Sequence, residues 1–176
     1  EVATLARAFS RWVAMDSPGG RIDLSANFKV AARGGAGSGS TLEAAIDALI
    51  VEADAHIRLF DRALTRAWNT PVRHELLRSF LVKRRTNRLE IVLHDPGNLV
   101  RDCPRLMLLV RQFSHAMAIR RTLPAARRVY DPFAIADVLL FLHRFHFDDT
   151  RGVVTPADLA ATHLMRKRLA AICEPC

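Results

Sequence analysis

The residues with the clearest chemical potential are histidines and acids near the C-terminal third and a set of paired arginines. His143, His146, Asp148 and Asp149 form an H-x-x-H-x-D-D pattern, and His94-Asp95 makes a second His-Asp pair. Imidazoles and carboxylates at such spacing could hold a divalent cation and support phosphodiester hydrolysis. The set is incomplete by ordinary coordination rules. Continued strand alternation would also point His143 and His146 to opposite faces, so no metal or other cofactor is expected. Cys173 and Cys176 form a single C-x-x-C with no second pair to complete a zinc site. With Cys103 they make three cysteines, an odd number that does not suit a disulfide framework. No G-x-S-x-G elbow is present, and Ser114-His115 is more simply a helix end.

The arginines point to anions. The net charge is +8, and of the 26 basic residues only Lys29, Lys83 and Lys167 are lysines. Such a surface attracts phosphates and nucleic acid. Lys83-Arg84-Arg85 and Arg166-Lys167-Arg168 fall in last turns of expected helices, where cations complement the helix dipole. Arg120-Arg121 and Arg127-Arg128 flank an expected strand end and are the better phosphate contacts.

These groups need a scaffold, and 176 residues allow one domain, or one domain plus a short tail. Gly34-Gly35-Ala36-Gly37-Ser38-Gly39 has the composition of a flexible linker. Residues 1–40 are therefore expected to be a mobile segment and 41–176 the folded domain. Leu42, Ala45, Ile46, Leu49, Ile50 and Ala53 recur at helical spacing. His56–Phe60 and Leu89–His94 have strand character, the second stopped by Asp95-Pro96-Gly97-Asn98. Thr70-Pro71 opens a helix with Val72, Leu76, Leu77, Phe80 and Leu81 as its apolar face. A further helix begins near Pro104, followed by a strand at Met117–Arg120. Phe133–Asp137 and Val138–Leu142 form two strands or a tight hairpin. Thr155, Pro156 and Asp158 resemble the start of a last helix running to about Ile172. Alternating helices and strands imply an α/β fold with a mainly parallel sheet flanked by helices. In such folds ligands bind beyond the carboxyl ends of the strands. That edge is expected to carry Asp61, His94, Asp95, Arg120, Asp137, His143 and Arg144.

Ile57–Asp61, Leu89–Asp95, Ala118–Arg121 and Tyr130–Leu142, in that order, resemble the phospholipase D-like fold. The closer resemblance is to a bacterial family of domains of unknown function with that fold, labelled endonuclease-like, over roughly residues 41–176. The resemblance implies a single phospholipase D half. Active members of that superfamily carry H-x-K-x-x-x-x-D, with a nucleophilic His and a phosphate-holding Lys. Aligning the acid on Asp137 places Tyr130 at the His position and Pro132 at the Lys position, so only the acid matches. Without nucleophile and cation the covalent route has no means at this site.

The expectation is a cytoplasmic, non-catalytic module for an anionic ligand, either nucleic acid or a phosphorylated molecule. Its pocket would be formed by His94, Asp95, Arg120, Arg121, Tyr130, Asp137, His143, Arg144 and His146. A residual phosphodiesterase or nuclease and a purely structural or protein-interaction domain are the alternatives. No membrane partner is expected, and a homodimer is left open by the fold resemblance alone.

Overall fold

The computed structural model describes residues 22–23, 40–137, 140–144, 147–148, 152–156 and 159–172. The strands are β1 (Ile22–Asp23), β2 (His56–Asp61), β3 (Arg88–Leu93), β4 (Met117–Arg121), β5 (Phe133–Ala136), β6 (Leu140–Arg144) and β7 (Gly152–Pro156). The α-helices are α1 (Ser40–Glu52), α2 (Pro71–Lys83), α3 (Leu99–Asp102), α4 (Pro104–Gln112) and α5 (Leu159–Ile172). Short 3-10 turns span Arg66–Asn69 and Pro124–Arg128.

One mixed sheet runs in the order β1-β7-β6-β5-β2-β3-β4. The strands β2, β3 and β4 at one side of it are parallel and in register, with Leu59 opposite Ile91 and Ile91 opposite Ile119. β5 runs antiparallel to β2, and β6, β7 and β1 continue antiparallel beyond it. This is the expected α/β class with flanking helices. The parallel strands need crossover connections, and the helices between β2, β3 and β4 supply them.

Strand alternation divides the core in two. Ile57, Leu59, Leu89, Ile91, Leu93 and Met117 meet α1, α2 and α4 on one face. Phe60, Val92, Phe133 and Ile135 face the other way, where Leu169 and Ile172 of α5 cover them together with Ala126 and Phe147.

Two local expectations are corrected. Val72 is 49% exposed and Arg73 is 1% exposed, so the buried stripe of α2 is Arg73, Leu77, Phe80 and Leu81. Arg73 tolerates burial because its guanidinium is fully engaged. It pairs with Glu43 and Asp47 of α1, donates to the carbonyls of Ala67 and Glu43, and lies 4.8 Å from the Trp68 ring centre. Thr155 and Pro156 belong to β7 rather than to a helix start; a proline at the end of a strand removes little from the ladder. Ile22 and Asp23, within the segment expected to be mobile, pair with Val154 and Val153. The rest of that expectation lies outside the described residues.

Candidate functional site

Because β2, β3 and β4 are parallel, the residues that follow them emerge at one edge. Asp61-Arg62, His94-Asp95 and Arg121 meet there. The chain then crosses the sheet end from Thr122 to Tyr130 before entering β5. A cleft of about 530 Å³ opens at this edge, lined by Arg62, His94, Asp95, Arg121, Arg127, Tyr130 and Phe147.

His94 builds the floor of this cleft. Its side chain lies edge-on to Phe60 and Phe147, with ring centroids 5.1 and 5.4 Å away. Nε2 is 2.8 Å from the Val129 carbonyl, which can only accept, so Nε2 carries a proton and donates it. Nδ1 is 2.7 Å from Thr122 Oγ1, and in the neutral ring it accepts the hydroxyl proton. Both nitrogens are thus committed to the crossing segment. Attack on phosphorus from this ring would require breaking one of these bonds. The imidazole instead fastens the segment that carries Arg127 and Tyr130 to the end of β3.

The remaining lining residues are more open. Asp95 is exposed; its Oδ1 accepts from the Gly97 amide at 3.1 Å and its own amide donates to the Arg62 carbonyl at 2.8 Å. Arg62 pairs with Asp148 at 3.3 Å and sits 5.6 Å from the Phe147 ring centre. Arg121 and Arg127 are exposed, and neither joins an ion pair among the described residues. Tyr130 is 54% exposed, its ring edge-on to Phe147 at 6.4 Å. Just beyond it, Asp131 holds both terminal nitrogens of Arg168 at 2.6 and 2.7 Å, tying α5 to the entry of β5. Three guanidiniums and the rings of Tyr130 and Phe147 therefore surround a cleft whose lining has one carboxylate.

Of the nine residues expected in a pocket, His94, Asp95, Arg121 and Tyr130 share this cleft. Arg120 does not line it: one residue before Arg121 on the strand, it lies on the second sheet face and pairs with Glu90 at 3.5 Å. His143 and Arg144 end β6, and the backbone of His143 pairs with Phe133 at the same end of the sheet. His146 lies outside the described residues, as does Asp149.

Asp137 is at the wrong end for a pocket residue. β5 runs antiparallel to β2, so its last residue meets the start of β2, opposite Ile57 and His56. The Asp137 carboxylate accepts from the amides of Asp54, Ala55 and His56 at 2.6, 2.9 and 2.8 Å. Its φ of 53° is left-handed, a conformation aspartate tolerates better than most residues. The partners of its carboxylate are the amides that lead into β2. Pro132 is buried. Among the described residues no group of three His, Cys, Asp or Glu is arranged to hold a metal, and no helix is long and apolar enough to cross a membrane.

Sequence reasoning missed Arg62 and Phe147. Arg62 was detectable, since it directly follows the end of β2 as His94 follows β3. Phe147 was not, because no strand or helix pattern in the sequence places it beside Phe60 and His94.

Residues 38–174 match the family described as Domain of unknown function (DUF7931). The chain belongs to that family. No curated protein sequence matches it. Sixteen chains of solved structures match this DUF7931 domain. NucT from Helicobacter pylori aligns with a TM-score of 0.52 at 8% identity, covering 89% of this chain and 97% of NucT. That likeness is one of fold, and it agrees with a single phospholipase D-like half. TrmBL2, an archaeal chromatin protein whose structure shows a mode of DNA binding, aligns with a TM-score of 0.49 at 14% identity. That alignment covers 96% of this chain and 57% of TrmBL2, so the DUF7931 chain spans little more than half of it.

Proposed function

We propose that the cleft at the carboxyl edge of the sheet binds a phosphate-bearing ligand, the backbone of a nucleic acid, without hydrolysing it. The observation that carries this reading is the convergence of Arg62, Arg121 and Arg127 beside the exposed ring of Tyr130. A guanidinium can hold two phosphate oxygens at once, and an open aromatic face offers a base a stacking surface. Against hydrolysis stand the hydrogen-bonded ring of His94 and, if the motif is aligned on Asp137, a buried proline and Tyr130 where the resemblance implies lysine and histidine. Metal-free turnover of bis-nitrophenyl phosphate is expected to be absent; turnover that persists in chelator and vanishes in Tyr130→Phe would contradict this.

The test of binding compares oligonucleotide affinity at fixed salt for Arg121→Ala, Arg127→Ala and Arg78→Ala. Arg78 lies on α2, where it pairs with Glu75. One charge-assisted contact in a defined site contributes ~1.5–3 kcal/mol, so the first two variants should lose roughly tenfold or more while Arg78→Ala stays near wild type. Equal, small losses in all three would mean diffuse attraction to a basic surface.

A further inference from the structure

One charge in the cleft has the wrong sign for phosphate. Asp95 lines it together with Arg62, Arg121 and Arg127, and its carboxylate opposes any anion that those guanidiniums attract. The turn after β3 accounts for an oxygen at this position but not for a charge. Asp95 Oδ1 accepts from the Gly97 amide at 3.1 Å, a bond to the backbone two residues on that asparagine makes as well as aspartate. An asparagine would hold the turn and spare the cleft its carboxylate.

The other oxygen, Oδ2, has no partner among the described residues, and Asp95 is exposed. The residue is fixed from two sides. Its amide donates to the Arg62 carbonyl at 2.8 Å, and Oδ1 is fastened to Gly97. The carboxylate is thus held at the cleft as an acceptor with one site still open. An ionised carboxylate only accepts, so what completes it is a hydroxyl or an N–H of the ligand.

The shape of a nucleotide narrows the choice. With its phosphate on the arginines and its base on the Tyr130 ring, the sugar lies between them. A base edge grips a carboxylate with two N–H groups, and only one oxygen is open here. The donor that every ribonucleotide carries on its sugar, whatever its base, is the 2′-hydroxyl, which a deoxyribonucleotide lacks. We infer that Asp95 accepts a hydrogen bond from a ribose 2′-hydroxyl, and that the ligand of the cleft is single-stranded RNA rather than DNA. The inference rests on the proposed phosphate binding in the cleft and adds the choice of sugar to it.

The experiment measures affinity at one salt concentration for three single strands of one sequence: an oligouridylate, its 2′-fluoro form and its 2′-deoxy form. The fluoro sugar keeps the ribose pucker and has no hydroxyl to donate, so it separates the hydrogen bond from sugar shape. Wild type should bind the ribose probe roughly fivefold more tightly than either of the others. In Asp95→Asn the amide oxygen can stay on Gly97, which turns a donor instead of an acceptor to the ligand. The ribose-to-fluoro ratio should then fall to about one, and the deoxy probe should tighten because a negative charge has left. Glu75→Gln, on α2 in the pair with Arg78, should keep the wild-type ratio. Arg121→Ala should weaken all three probes. If wild type does not separate the ribose from the fluoro probe, or Asp95→Asn leaves the separation intact, while Arg121→Ala still weakens every probe, the sugar contact is wrong and the cleft stands. If no probe binds wild type, the cleft reading fails and this inference with it.

Discussion

Asp137 holds the amides of three successive residues with one carboxylate, and its role follows from that geometry. Charge-assisted bonds of this kind contribute ~1.5–3 kcal/mol each when well shielded. Because the group is only partly buried, Asp137→Ala should cost on the order of 2–3 kcal/mol in all by urea denaturation. It lies at the opposite end of the sheet from the cleft, so dinucleotide affinity should not change. Normal stability with lost binding would restore it to the site. His56 sits beside this clamp, and its imidazole is held below its ordinary pKa by burial first and by Arg58 second. A histidine whose folded pKa is depressed binds fewer protons folded than unfolded. Stability should therefore fall as pH drops through the ordinary histidine value of about 6.5 toward the lower folded value, and be complete above it. Comparing urea midpoints at pH 5 and pH 7.5 for wild type and His56→Gln checks the sign: the variant should lose less on acidification. The sequence made several site residues legible, because His94, Asp95, Arg121 and Tyr130 lie next to strands whose apolar runs are unmistakable. Asp137 was misplaced because a strand pattern does not carry direction: whether β5 runs with β2 or against it decides which edge its last residue reaches.

At the scale of elements, α2 shows where apolar periodicity is insufficient. Leu77, Phe80 and Leu81 fix one side of the stripe, but Val72 and Arg73 compete for its first turn, and hydrophobicity favours the wrong one. The carboxylates of Glu43 and Asp47 and the ring of Trp68 lie 26 or more residues away or in a separate turn, so nothing local reveals that a guanidinium is wanted there. Removing one side of such a buried ionic cluster typically costs ~3–5 kcal/mol. Arg73→Met should accordingly destabilise by about that amount in thermal or urea melts, whereas Val72→Ser, at an exposed position, should stay within ~0.5 kcal/mol. A neutral Arg73→Met would show that the cluster is dispensable to the packing of α1 on α2. α1, α2, the start of α4 and the strands β2 to β6 were otherwise readable within a residue or two, whereas the single turn of α3 was not read. β7 was not, because Thr155-Pro156 before an acid has the same composition as a helix start, and only pairing with β6 distinguishes the two.

For the molecule as a whole, charge and topology act together. A +8 chain attracts any polyanion, and composition alone cannot separate attraction from recognition. The parallel order β2-β3-β4 makes the difference by delivering Arg62, His94 and Arg121 to one edge, while the His94 bonds bring Arg127 and Tyr130 over it. Binding of single strands should weaken with salt by ~0.7 in log affinity per log salt for each phosphate neutralised. Arg121→Ala should reduce that slope by about one contact, and an unchanged slope would remove Arg121 from the interface. The most direct measurement is the position of the phosphate in a crystal of the domain with a dinucleotide. A phosphate is expected between the guanidiniums of Arg121 and Arg127, with a base against the Tyr130 ring. A dinucleotide bound elsewhere, with those three side chains untouched, would contradict it.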